Sequence, residues 1–272
     1  MNPIWRLAAA LVSLAAAAPA LCDEAIDRVD NEESFSLAIA PLHAQELGQP
    51  MQGAPVANTL AGTRYLLGYE VARTRSLFGI AGWYTDLDLS IGAGTLRYRG
   101  SVMNAPAGAP VGVDEVVTYG QEAMRLRLGR SFEFARGEGM ALTPFVGLLQ
   151  QSWTRESPSA QVARAYAHDG LEAGALFQAS LPWSSVLAAS ASLGRTLGVA
   201  ESSDSGSYVF AKASSFALKL DHRTFPDWHQ SVEVRQDFLR YAPSSSAAAT
   251  FAPRRTSSLA FMLEMGVEIP AR

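Results

Sequence analysis

What the chain lacks narrows its class before any motif is read. Its 272 residues hold a single cysteine, Cys22, which excludes an internal disulfide and a thiolate metal cluster. A basic excess is missing too: the net charge is -4 and the isoelectric point about 5.6, so nucleic-acid binding is set aside. Beyond residue 20 no uninterrupted apolar run approaches the roughly 20 residues of a spanning helix. A mean hydropathy of +0.06 is likewise too low for a helical membrane protein. No Pro/Gly linker separates two composition regimes, so a single mature domain is expected. No G-x-S-x-G elbow occurs, and Gly92-Ala93-Gly94 has Arg97 where a dinucleotide fingerprint needs its third glycine.

What is present begins with an export signal. One Arg at position 6, an Ala/Leu/Val run from Leu7 to Ala18 and the site Ala18-Pro19-Ala20 fit a secretory signal peptide over residues 1–20, leaving 21–272 as the mature domain. Cys22 is expected to be an unpaired thiol on a short periplasmic tail. A lipoprotein signal would place a small residue before it, and Leu21 stands there.

Behind the signal the dominant period is two. From Leu259 to Ile269, Leu259, Phe261, Leu263, Met265, Val267 and Ile269 share one face, and Glu264 and Glu268 lie on the other. A strand with one apolar and one charged face needs two solvents, lipid outside and a polar lumen inside. Ten candidate strands follow this pattern: 33 to 45, 60 to 73, 77 to 100, 116 to 135, 140 to 155, 166 to 181, 186 to 199, 213 to 225, 230 to 242 and 256 to 269. Short turns at Arg73 to Arg75, Arg136 to Gly139, Pro182 to Ser185 and Pro226 to His229 alternate with longer polar loops, as periplasmic turns and outer loops do. Trp183 and Trp228 fall in two of the short turns, and Tyr84, Tyr98, Trp153 and Tyr241 are expected at the opposite girdle. In the third strand Leu87, Leu89 and Ile91 break step with Tyr84, Leu96 and Tyr98. Bulges or a hidden hairpin would explain this, so twelve strands, or eight, stand as alternatives to ten.

The signal peptide, the alternation and the terminal strand together resemble bacterial outer-membrane β-barrels as a broad class. The resemblance implies an all-β, antiparallel up-and-down transmembrane barrel in the outer membrane of a Gram-negative bacterium. It also implies contact with outer-membrane lipids and lipopolysaccharide, and insertion by the barrel assembly machinery. The chain departs from the class at its end, where Ile269-Pro270-Ala271-Arg272 replaces the usual terminal aromatic residue.

Opposite the apolar faces runs a set of charges expected to line the lumen: Arg64, Glu70, Asp86, Asp88, Arg125, Arg127, Glu133, Glu172, Lys219, Asp221, Arg223, Glu233, Arg235, Asp237, Glu264 and Glu268. Across the hairpin at Pro226, the expected register pairs Lys219 with Asp237, Asp221 with Arg235 and Arg223 with Glu233. Small inward residues, Ala188, Ser190, Ser192 and Gly194 with Gly174 and Ser180, predict space on one side of the lumen.

Such a lumen suits either a plugged structural or surface-interaction module or a narrow solute channel, with small solutes or surface ligands as partners. The former is the leading expectation, without enzymatic activity. The alternative is an embedded hydrolase. Asp86, Asp88 and Asp221-His222 are reminiscent of omptin-type proteases, and His43 with Ser34 or Ser36 is a loose candidate for a lipid hydrolase. His168 and His229 are scattered, and Asp227-Trp228-His229 reads as turn chemistry. No metal or cofactor is expected.

Overall fold

Phe35, Leu37 and Ile39 alternate with Ser34, Ser36 and Ala38, and each set commits its strand to one face. In the computed structural model, which describes residues 24–47, 57–77, 80–103, 110–133, 139–156, 158, 164–201, 211–225, 227–241 and 254–268, that choice repeats around a closed wall. A short helix, α1 (Glu24–Val29), precedes ten strands. These are β1 (Glu32–Leu47), β2 (Ala57–Leu77), β3 (Ile80–Met103), β4 (Pro110–Arg130), β5 (Met140–Glu156), β6 (Arg164–Leu181), β7 (Ser185–Glu201), β8 (Ala211–Phe225), β9 (Trp228–Tyr241) and β10 (Arg254–Glu268). The two residues Phe132–Glu133 continue β4 past a one-residue break and keep its register on β5.

Each strand pairs antiparallel with its sequence neighbours. β10 closes on β1, with Glu32 opposite Glu268 and Ser34 opposite Gly266. Closure removes the exposed edges, so every strand finds hydrogen-bond partners on both sides, as lipid requires. Apolar side chains point outward all round: Phe35, Leu67, Leu193, Phe216, Phe261 and Leu263 are each at least half exposed. An apolar outer surface around a buried charged interior is the arrangement of a membrane barrel. The residues expected to form the export signal lie outside those described.

The expected count of ten strands holds, and three other expectations are corrected here. β3 is one continuous strand in unbroken register with β2 from Trp83 to Arg99, so the strand count is ten. Its apparent loss of alternation arises because Tyr84, Leu96 and Tyr98 are apolar or aromatic residues that face inward. Tyr84 and Tyr98, like Trp153, are 4% exposed and belong to no outer girdle; Tyr241 has no described side chain. The first short turn lies after Leu77, because Arg73 to Arg75 are still paired with β3. At the hairpin between β8 and β9, Phe225 pairs with Trp228 and Lys219 with Glu233, so each partner expected for Lys219, Asp221 and Arg223 is displaced by four residues. A two-residue connection is tighter than the one assumed.

β2, β3 and β4 are the longest strands, at 21, 24 and 21 residues, about twice what a tilted strand needs to cross. Outward charges mark where their apolar belt ends: Arg97 and Arg99 both bind Asp114, at 2.7 and 3.1 Å. The Arg97 hydrogen bond holds the Asp114 carboxyl below the usual aspartate range.

Candidate functional site

The lumen is organised in tiers from the end that carries the short turns. Ile26 and Val29, three apart on one face of α1, pack on inward Ala141 and Val186. Arg28 donates to the Ser184 carbonyl at 3.2 Å, Gln178 to Asp30 at 2.7 Å, and the Thr74 amide to Asn31 at 3.1 Å. The segment from Ile26 to Glu32 therefore lies within the barrel's end and plugs it, where the sequence suggested only a free tail. The spacing of Ile26 and Val29 was the available signal.

Above the plug sits Lys219, whose ammonium lies 2.7 Å from Glu32, 2.8 Å from Glu264 and 3.9 Å from Glu70. His229 stands beside it, with Nδ1 2.6 Å from Asp221 and Nε2 3.1 Å from Glu32. A Cβ on Gly266 would fall 2.0 Å from the His229 ring, so only glycine leaves the imidazole its place. His229 is thus a lumen residue rather than turn chemistry, and its parity with Glu233 and Arg235 was the signal that went unused. Glu32, Asp221 and His229 lie close enough together to hold a metal, as do Glu32, Glu70 and Glu264. Lys219 already supplies the second group with a cation, and both His229 nitrogens face carboxylates in the first.

The next tier is a belt of arginines. Arg127 binds Asp86 at 3.2 Å and Glu172 at 3.1 Å, with its guanidinium 4.7 Å from the Phe145 ring centre. Arg235 binds Asp88 and Glu233, both at 2.7 Å. Arg125 reaches Glu172 at 3.4 Å and Asp237 at 3.8 Å, joining β4 to β9 on the opposite side of the wall. Desolvating one of these charges without its partner would cost several kcal/mol, so the belt stands or falls as a set.

The belt divides the remaining space. Below it a cavity of about 50 Å³ touches Glu70, Tyr84 and Lys219; above it lies one of about 130 Å³. The upper cavity has bulky walls on β1 to β5, among them Leu42, Tyr119 and Trp153, and small ones on β7 and β8, where Ser192, Gly194 and Ser215 face it. Ser190 and Ala188 border the lower cavity, so the small inward residues do mark the roomier side. Leu60, Leu96, Tyr98 and Val117 join the bulky wall in one apolar cluster.

The outer membrane protease OmpT from Escherichia coli superposes with a TM-score of 0.54, over 88% of this chain and 97% of its own, at 9% identity. The β domain of the Bordetella autotransporter BrkA covers 88% of this chain and 100% of its own, at 14% identity and a TM-score of 0.41. No protein-family model matches the sequence, and no curated protein matches it. The fold is that of a bacterial outer-membrane β-barrel.

The barrel places its expected site residues unevenly. Glu70, Asp86, Asp88, Arg125, Arg127, Glu172, Lys219, Asp221, Glu233, Arg235, Asp237 and Glu264 meet in the two charged tiers. Glu133, Arg223 and Glu268 lie at the rim, where the Glu268 amide donates to the Asp227 carbonyl. Arg64 stands apart in the upper cavity. Asp86 and Asp88 are each held by an arginine. Asp221 is buried while His222 is exposed on the outer face, so the omptin-like arrangement does not form. His43 points outward and Ser34 and Ser36 inward, which separates that candidate too.

Proposed function

We propose that this chain is an outer-membrane protein of a Gram-negative bacterium, exported behind residues 1–20, and that its barrel is a closed, non-enzymatic surface-interaction module. Lipopolysaccharide and outer-membrane lipids would surround it, and the barrel assembly machinery would insert it. One observation carries the reading: the lumen is crossed twice, by the plug from Ile26 to Glu32 and by the Arg125, Arg127 and Arg235 belt. A narrow channel would need a continuous wet path, and each tier interrupts one. The test is single-channel conductance of the purified protein in a planar bilayer. A folded, heat-modifiable protein that gives no steps supports the closed module; reproducible open steps would overturn it in favour of a channel.

A second reading, a lipid hydrolase on the outer face, rests on Ser185 Oγ lying 3.0 Å from His222 Nδ1. A nucleophile and base at this distance normally need a third group to orient the base. Among the described residues no carboxylate does so for His222, and the closed module is therefore preferred. Phospholipid or lipopolysaccharide deacylation lost in Ser185→Ala would reverse that preference.

A further inference from the structure

We propose that the upper cavity is a binding site for a small organic anion, a carboxylate carried on an apolar body about the size of one ring, seated on Arg64. Arg64 is 3% exposed, and its guanidinium donates to Gln121 and Ser258, both neutral acceptors. It lies 5.7 Å from the face of Tyr119, and its Nε has no acceptor. Arg125, Arg127 and Arg235 each face a carboxylate within 4.0 Å; among the described residues Arg64 faces none. Asp237 on the same cavity wall attracts Arg64 from beyond that distance, but a buried guanidinium with no carboxylate in contact is costly to hold, and a bound anion supplies that contact. The planar fork of arginine matches a carboxylate in particular.

The walls specify the rest of the ligand. Leu42, Tyr119, Trp153 and Leu239 present apolar surface, and Ser215 offers a hydroxyl on the opposite side. The volume, about 130 Å³, is close to the roughly 150 Å³ cavity that accepts benzene. The inference rests on the closed-barrel reading in one respect, that the arginine belt forms the floor of the site.

The experiment is calorimetric titration of the folded full-length protein in detergent with benzoate and with its neutral isostere benzamide. Benzoate is expected to bind at least ~10-fold more tightly than benzamide, the range of a charge-assisted hydrogen bond. Arg64→Gln should erase that difference and Arg64→Lys should keep part of it. Equal affinities for the two probes in the wild type, or binding of neither, would overturn the anion site. If Arg64→Gln fails to fold, the wild-type comparison decides alone. Open steps in a bilayer would end the closed-barrel reading while leaving the benzoate preference measurable; equal binding with a silent bilayer would end the anion site alone.

Discussion

Lys219 meets Glu32 at 2.7 Å although their strands, β8 and β1, stand three places apart around the wall. The pair ties the plug's exit to the far side of the lumen. Because Glu264 and Glu70 share the same ammonium, removing it leaves three carboxylates facing one another. Lys219→Met should therefore destabilise the barrel by about 3–5 kcal/mol, and adding Glu32→Gln should restore part of the loss. Urea unfolding in phospholipid vesicles measures both.

The outer face should respond to charge by height. Leu263 is 64% exposed midway along the apolar stripe of β10, whereas Val116 is 61% exposed but lies level with Arg97, past the end of the belt. Leu263→Arg should cost about 2–4 kcal/mol and Val116→Arg about 0–1 kcal/mol in the same unfolding assay. Equal costs would place the membrane elsewhere.

Gly266 tests the packing beneath Lys219. Gly266→Ala would push its methyl into the His229 ring and disturb the contacts to Asp221 and Glu32. A loss of about 1–3 kcal/mol is expected, and shortening the ring with His229→Ala in the same chain should relieve part of it. The folded fraction on heat-modifiable gels reports the effect.

A smaller change should go the other way. In the connection from Leu181 to Ser185, Trp183 and Ser184 have φ of 63° and 55°, a left-handed conformation that costs non-glycine residues about 1–2 kcal/mol. Ser184→Gly should stabilise the barrel by about 1 kcal/mol, read as a higher urea midpoint. Trp183, 87% exposed at this end, belongs where a girdle ring lies in the interface.

These cases also show which parts of the structure were legible in the sequence. Lipid selects apolar residues at every second position, so the strands, their number and the closing pair β1 and β10 could be read from local alternation. The lumen does not write its pairings locally. Arg235 finds Asp88 on β3 rather than Asp221 on β8, because inside a narrow barrel a side chain reaches across as readily as to its neighbour. Charge complementarity along one hairpin therefore misled the register of β8 and β9. Inward aromatic residues such as Tyr98 and Trp153 were mistaken for girdle residues, since composition alone does not separate an apolar lumen cluster from a lipid-facing one. The plug has little local signal, because its six helical residues carry only two large apolar side chains, Ile26 and Val29.

α1 and the residues after it close one end of the lumen, and cysteine accessibility is the sharpest check of that plug. In a Cys22→Ser background, Ile26→Cys and Trp183→Cys would be exposed to a membrane-impermeant maleimide applied to the side of the short turns. Ile26 is fully buried and Trp183 is 87% exposed. Prompt labelling is expected at position 183, and protection at position 26 until the barrel is unfolded. Labelling at both positions at the same rate would contradict it.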